Sequence, residues 1–245
     1  MSEERNSASI SGSGSIAGGS YNRVSISGSG KVTGELVAEA LRISGSAKLM
    51  GPTRVGKIVA SGSASFFAAV VAEEMKISGS AKIEGQADVK ELKCSGSLAV
   101  KGNVASEYVK ISGALRVDGD VEADIFKASG GFRIEGLLSA DRIEILVGGS
   151  CRASEIGGEE IVVRRGGFRP IGVILDGLMK MLMGGARGLN SREIEGDDIY
   201  LEDTTADIVR GKRVKIGPAC HIGVVEYEET LEVESSARVD KQKKL

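Results

Sequence analysis

Several residue types are scarce in this chain of 245 residues, and each scarcity excludes a class of protein. The three cysteines are few and odd in number, which argues against a disulfide framework. No stretch reaches the roughly 18 consecutive apolar residues of a membrane-spanning helix. The N-terminal residues Met1 to Arg5 lack the apolar core of a signal peptide. We therefore expect a cytoplasmic protein.

Charge of one sign is also lacking. The chain has 32 basic and 34 acidic residues, for a formal net charge of −2, so we expect no nucleic acid partner. Proline is limited to 3 residues and tryptophan is absent, whereas glycine reaches 35 and hydrophobic residues make up 41%. Because the apolar residues recur at a fixed spacing, this glycine excess does not indicate a disordered linker.

A Ser-Gly pair recurs every seventeen residues along the chain. The glycines of these pairs are Gly28, Gly45, Gly62, Gly79, Gly96, Gly113 and Gly130. Two apolar columns keep the same period: Ile26, Ile43, Ala60, Ile77, Cys94, Ile111, Ala128 and Ile145, and then Val32, Leu49, Phe66, Ile83, Val100, Val117 and Ile134. A fixed period of this length predicts a solenoid, in which each coil buries its apolar face only against its neighbours.

The pattern inside each unit indicates strands and corners. Leu41-Arg42-Ile43 alternates apolar and polar residues, as a strand with one buried face does, and the Ser-Gly step after it supplies a corner. The predicted fold is an all-β parallel β-helix (solenoid) with about 17 residues per coil and three short strands per coil. About eleven coils at ~4.8 Å would give a rod roughly 50 Å long.

The period fails at Gly157-Gly158 and returns near the C-terminus. We predict a flexible N-terminal tail over 1–9, a β-helix over 10–165 and an apolar excursion over 166–197. The C-terminal coils then cover 198–240, and a polar tail covers 241–245.

The excursion has one strongly apolar segment, Ile171 to Met183. Drawn as an amphipathic helix it places Asp176 and Lys180 on one face. The remaining surface contains Ile171, Ile174, Leu175, Leu178, Met179 and Leu182. Such a helix spans only about 20 Å, too short to cross a bilayer. Two interpretations stay open: it packs on the rod itself, or it contacts a membrane interface or a partner protein.

His221 is the sole histidine and the main candidate for catalysis. The stretch Ile216 to Gly223 resembles one hexapeptide repeat of the left-handed β-helix acyltransferases, which use a histidine as general base. A hexapeptide solenoid repeats every six residues, however, and seventeen is not a multiple of six. A solenoid acyltransferase and a monomeric β-helix binding module remain the alternatives. We predict no enzyme, no catalytic residue, no cofactor and no metal.

The coil, the Ser-Gly corners and one C-terminal run resemble the bactofilins. This run extends from Ile199 to Gly211 and leads into Ile216-Gly217-Pro218, and the likeness covers roughly residues 10 to 240. The resemblance implies a right-handed β-helix and a bacterial cytoskeletal protein that forms filaments end to end without nucleotide. It also implies a cytoplasmic scaffold, often at the inner face of the cell membrane, that recruits morphogenesis, division or motility proteins. The chain departs from the common pattern in its length, its apolar excursion and its polar N-terminus.

The ends of the rod are the predicted site of this assembly, with a second copy of the chain as partner. The terminal coils of a β-helix expose unpaired backbone groups, and here the pattern begins almost at once. The predicted polymerisation interface consists of Ile10, Ile16, Val24, Ile26, Leu231, Val233 and Val239.

Overall fold

The computed structural model describes residues 6–166 and 188–245. These residues form an all-β structure that is 79% strand and contains no helix. Its parallel sheet winds into a β-solenoid of about 13 turns with about 17 residues per turn. The predicted fold class is therefore confirmed, and the rod is about two turns longer than the sequence indicated. At ~4.8 Å per turn its length is about 60 Å.

The solenoid contains nineteen strands within the described residues. Their bounds are β1 Ala8–Ile10, β2 Ser13–Ile26, β3 Ser29–Ile43, β4 Ser46–Leu49, β5 Thr53–Ala60, β6 Ser63–Phe66, β7 Val70–Ile77, β8 Ser80–Ile83, β9 Ala87–Cys94, β10 Ser97–Val100, β11 Val104–Ile111, β12 Ala114–Val117, β13 Val121–Ala128, β14 Gly131–Val147, β15 Ser150–Arg165, β16 Gly188–Leu201, β17 Thr204–Ile216, β18 His221–Val233 and β19 Arg238–Lys244.

One turn, residues 46–62, shows how the sequence makes three sides. The first side is the strand Ser46–Leu49, whose Ala47 and Leu49 point inward. The second side covers 53–55 and the third 57–60, because the inward-outward alternation breaks at the corner between them. Six inward side chains per turn fill the interior: Ala47, Leu49, Thr53, Val55, Ile58 and Ala60.

Equivalent residues of successive turns lie directly over one another. Leu41 pairs with Ile58, Ile58 with Met75 and Met75 with Leu92, and all four side chains are buried. Each buried aliphatic side chain contributes about 1.5–3 kcal/mol, so these columns, rather than local propensity, hold the coil closed.

The Ser-Gly corner is the place of closest approach between turns. A Cβ atom built on Gly79 would lie 2.1 Å from the carbonyl oxygen of Gly62. The backbone there is bonded to the previous turn, since the nitrogens of Ser78 and Ser80 donate to the carbonyls of Ala60 and Gly62 at 2.9 Å each. Glycine recurs at this corner because no side chain fits between two turns that are hydrogen-bonded so closely.

At three places the strands extend beyond the predicted segment boundaries. The first strand starts at Ala8, inside the predicted tail 1–9. The C-terminal coils resume at Gly188 rather than at 198. The predicted polar tail 241–245 contributes Lys241 to Lys244 to the last strand, Arg238–Lys244. Leu189 and Ile194 of the segment from Gly188 are buried in the core, whereas the last strand is held by backbone pairing, since its side chains are mostly exposed.

The chain leaves and rejoins the coil at one corner. Ile161 pairs with Ile199, and residues 167–187 lie between their two strands in the sequence. Residues 167–187 are outside the described residues, and so are the predicted contact residues within them: Ile171, Ile174, Leu175, Leu178, Met179 and Leu182. Before the gap, the Arg165 guanidinium binds the Asp203 carboxylate through two hydrogen bonds of 2.6 and 2.7 Å. The Tyr200 hydroxyl donates to Glu202 at 2.5 Å, and this contact raises the pKa of Tyr200 to about 12.

The close approach at the Ser-Gly corner gives a direct test of the stacking. We expect Gly79→Ala to reduce the free energy of unfolding by about 1–3 kcal/mol, because its Cβ must displace a backbone carbonyl. Thermal unfolding followed by circular dichroism measures this change. Gly157→Ala is the matched control, since the nearest atom to a Cβ built on Gly157 is a side-chain carbon of Leu137 at 3.9 Å, an ordinary contact. Equal melting temperatures for the two variants would contradict the predicted stacking effect.

Candidate functional site at the two ends of the solenoid

The first turn presents an open, uncharged edge. Ala8–Ile10 pairs only with Val24–Ile26, and residues 13–21 pair only with the next turn, among the residues that the structure describes. No residue from Asn6 to Asn22 is acidic or basic. Ile10 is buried, whereas Ile16 is half-buried against the core. This end therefore offers backbone donors and acceptors beside apolar side chains.

The last turns present a second open edge of different character. The strand Arg238–Lys244 pairs with the strand before it and with no other in the described part of the chain. Residues 230–233 likewise pair only with the preceding turn. Lys241 and Lys243 lie in this last strand, and Lys243 contacts Glu226 at 3.2 Å. The C-terminal end thus carries many charges, unlike the first turn.

Five of the seven predicted interface residues lie at these ends. Ile10 and Ile16 belong to the first turn. Leu231 and Val239 are half-buried at the other end, and Val233 is 37% exposed there. Val24 and Ile26 lie one turn further in. Both are fully buried, and their strand is paired on both edges. They therefore pack under the first turn and are not part of the end surface.

Gly12 is a residue of the first turn that the sequence pattern did not reveal. It precedes the glycine column, but its spacing to Gly28 is sixteen rather than seventeen residues. A Cβ atom built on any glycine of the column from Gly28 to Gly130 would lie 2.0–2.1 Å from the carbonyl oxygen of the turn before it. At Gly12 the same position is empty to 4 Å. None of the described residues occupies the slot that a preceding turn would fill at this end.

His221 points outward on the first side of the rod. It is exposed, and its in-register neighbours on the adjacent turns are Thr205 and Arg238. Neither neighbour is a carboxylate of the kind that orients a catalytic imidazole.

All three cysteines point into the core. The exposed fractions of Cys94, Cys151 and Cys220 are between 0% and 1%, and all three thiols are free. Burial raises their pKa from 9.0 to about 11. A thiol held in its protonated form away from solvent is a poor nucleophile.

Lys93 and Lys127 on the third side pair with near neighbours. Lys93 contacts Glu91 at 2.5 Å, two residues back on the same strand, and Lys127 contacts Glu144 on the next turn at 3.0 Å. The contact with Glu91 raises the pKa of Lys93.

The described ranges show neither a metal site nor a membrane-spanning helix. Residues 6–166 and 188–245 contain no cluster of His, Cys, Asp or Glu suited to a metal ion. The same ranges include no helix that could traverse a bilayer. One surface depression, about 860 Å³, is an open groove that Arg133 and Arg152 help to line.

The fold thus defines a β-solenoid with open ends, and two curated proteins resemble part of it. The chain is 50% identical over 52 residues to the uncharacterized protein YhbF of Bacillus subtilis (strain 168), covering 21% of this chain and 22% of that protein. It is 46% identical over 57 residues to the uncharacterized protein YhbE of the same organism, covering 23% and 24%. The matches thus span less than a quarter of each relative's length. No family model and no solved structure matches the chain.

The buried thiols predict a specific pH dependence. The folded protein keeps these protons up to pH about 11, whereas the unfolded chain releases them near 9, so the free energy of unfolding falls as pH rises through this window. Below pH about 9 the thiols have no such effect. Urea unfolding at several pH values measures the slope, which is at most about 1.4 kcal/mol per pH unit for each thiol.

The control for this prediction is the triple variant Cys94→Ala, Cys151→Ala, Cys220→Ala. Its free energy of unfolding should fall less steeply between pH about 9 and 11, because it lacks the three thiols while its other titrating groups are unchanged. Equal slopes for the two proteins would show that the thiols are not held protonated by the fold.

Proposed function

We propose that this protein is a filament-forming scaffold that assembles without nucleotide by end-to-end stacking of β-solenoids. The partner at each end is a second copy of the chain, and the assembled rods recruit other proteins. The protein is not an enzyme and uses no cofactor. The resemblance to the bactofilins, in the coil, the Ser-Gly corners and the C-terminal run, leads to the same proposal and places it at the cytoplasmic face of the membrane.

The observation that carries the proposal is the open first turn with glycine at its corner. Inside the rod, glycine is required at this corner because the carbonyl of the turn before it fills the space of a side chain. Gly12 has no such neighbour among the described residues, yet the residue is still glycine. A second copy seated on this end would supply the missing turn.

Backbone and apolar groups at the ends support the same assembly. An open strand edge is a template for pairing with another chain, and soluble solenoids usually cover it with a polar cap. Here the first turn has no charges between Asn6 and Asn22, and Ile16 is half-buried beside the free edge. Pairing with a second copy would satisfy the backbone groups and bury this side chain.

The acyltransferase alternative is less well supported. It needs a general base with an orienting partner, and the adjacent turns offer His221 only Thr205 and Arg238. The binding-module alternative needs ends that do not associate, which the free strand edge of the first turn, among the described residues, disfavours.

Negative-stain microscopy of the purified protein without nucleotide tests the proposal. We expect wild-type filaments with the width of one solenoid. Gly12→Ala and, separately, Ile16→Lys should give short single rods, because the first closes the slot at the corner and the second places a charge in the joint. Compact trimers that bind an acyl-CoA would instead support the acyltransferase.

The control for these variants is Leu146→Lys, which alters a side chain that is 49% exposed. This variant should form filaments as the wild type does. Melting temperatures close to that of the wild type for all three variants establish that the fold is intact. Filaments that persist in both end variants would contradict end-to-end stacking through the first turn.

A further inference from the structure

The first side of the rod carries an outward column rich in basic residues. The in-register positions are Ser15, Lys31, Lys48, Ser65, Lys82, Ala99, Arg116, Arg133, Arg152, Asn190, Thr205, His221 and Arg238. Seven of these thirteen residues are lysine or arginine, and none is acidic. This segregation is notable in a chain whose formal net charge is only −2. Six of these charged residues form what we name the basic strip: Lys31, Lys48, Lys82, Arg116, Arg133 and Arg152.

Part of the basic strip is neutralised by acids of the neighbouring corner. Arg116 contacts Asp118 at 2.9 Å, and Arg133 contacts Glu135 at 2.6 Å. Lys31, Lys48 and Arg152 have no carboxylate within ion-pair distance among the described residues. The strip therefore retains positive charge that the rod itself does not balance.

A strip of the opposite sign follows the second side and its corner with the third side. Its members, which we name the acidic strip, are Glu73, Asp88, Glu107, Glu122, Asp124 and Asp141. All six are exposed, and none forms an ion pair with another described residue. Lys90 is the one basic residue at the equivalent positions of these turns.

We propose that two copies of this protein associate side by side, with the basic strip of one rod against the acidic strip of the other. Both strips follow the same solenoid, so their charges repeat at the same ~4.8 Å rise and match over several turns. They lie on different sides of the rod and cannot meet within one molecule. The lateral contact therefore joins separate rods or filaments, and it does not depend on the end-to-end joint.

The charge distribution favours a second copy over other anionic partners. A nucleic acid or an anionic membrane would be attracted to the basic strip but repelled by the acidic strip and by the net charge. A second rod uses both strips at once. Each exposed ion pair is weak by itself, so the contact depends on many pairs in register and on low ionic strength, the Debye length being about 10 Å at 0.1 M salt.

Charge reversal tests the proposal. We expect wild-type rods or filaments to lie in pairs or bundles at low ionic strength, seen by negative-stain microscopy and light scattering, and to separate at high ionic strength. Lys31→Glu with Lys48→Glu should abolish bundling, and so should Glu107→Lys with Asp124→Lys. An equimolar mixture of these two variants should bundle again, because the unchanged basic strip of one variant can then face the unchanged acidic strip of the other, and the two reversed segments are again opposite in sign.

The matched control is Lys76→Glu with Lys110→Glu on the third side, which changes the net charge by the same amount and should still bundle. The proposal is overturned if the first variant bundles as the wild type does, if the control loses bundling equally, or if mixing restores nothing. Wild-type filaments that stay single at low ionic strength also overturn it while leaving end-to-end assembly intact. Rods that bundle without forming filaments support it and contradict only the proposed function.

A lipid partner would give a different result with the same proteins. The proposal is overturned if the wild type binds phosphatidylglycerol vesicles without bundling and if Lys31→Glu with Lys48→Glu abolishes this binding. That result would assign the basic strip to lipid headgroups. Melting temperatures near that of the wild type show that each variant is folded.

Discussion

The structure depends on one constraint, which is that each turn lies directly on the turn before it at strand spacing. The hydrogen bonds between turns fix this distance, and the glycine corners permit it because a carbonyl oxygen occupies the place of a side chain. The buried columns follow from the same constraint, since equivalent apolar residues then fall over one another. Stability is therefore built from contacts between neighbouring turns, and within the described residues the first and last turns each pair with one neighbour.

The regular part of the fold could be predicted because its constraint acts on every turn. Ile43, Ile77 and Ile111 keep a seventeen-residue period, and the structure places all of them in the core. The boundaries could not be predicted where turns differ in length. Phe132 pairs with Cys151, nineteen residues on, while Ala8 pairs with Val24, sixteen residues on. The side chains of such turns still enter the core, but a search for one fixed period misses them.

The charged surface shows the same limit at the level of single residues. An outward lysine meets the residue two positions away on its own strand, as Lys93 meets Glu91, or the equivalent residue of the next turn, as Lys57 meets Glu74. Sequence distance alone is therefore a poor guide to these contacts. The end surface was anticipated in part: Ile10 and Ile16 were recognised, but Gly12 was hidden by its irregular spacing.

The ends and the sides of this rod present different kinds of interaction, and this difference has a physical consequence. The joint at the first turn combines backbone pairing with apolar burial, and both persist when salt screens charge. The strips on the sides carry exposed charges, whose attraction decreases as ionic strength rises. In a chain with 27% charged residues, the absence of charge from Asn6 to Asn22 keeps these two kinds of contact apart. A charge at the first turn would be desolvated in any stacked joint, so an uncharged end lets growth along the axis proceed independently of contact between sides.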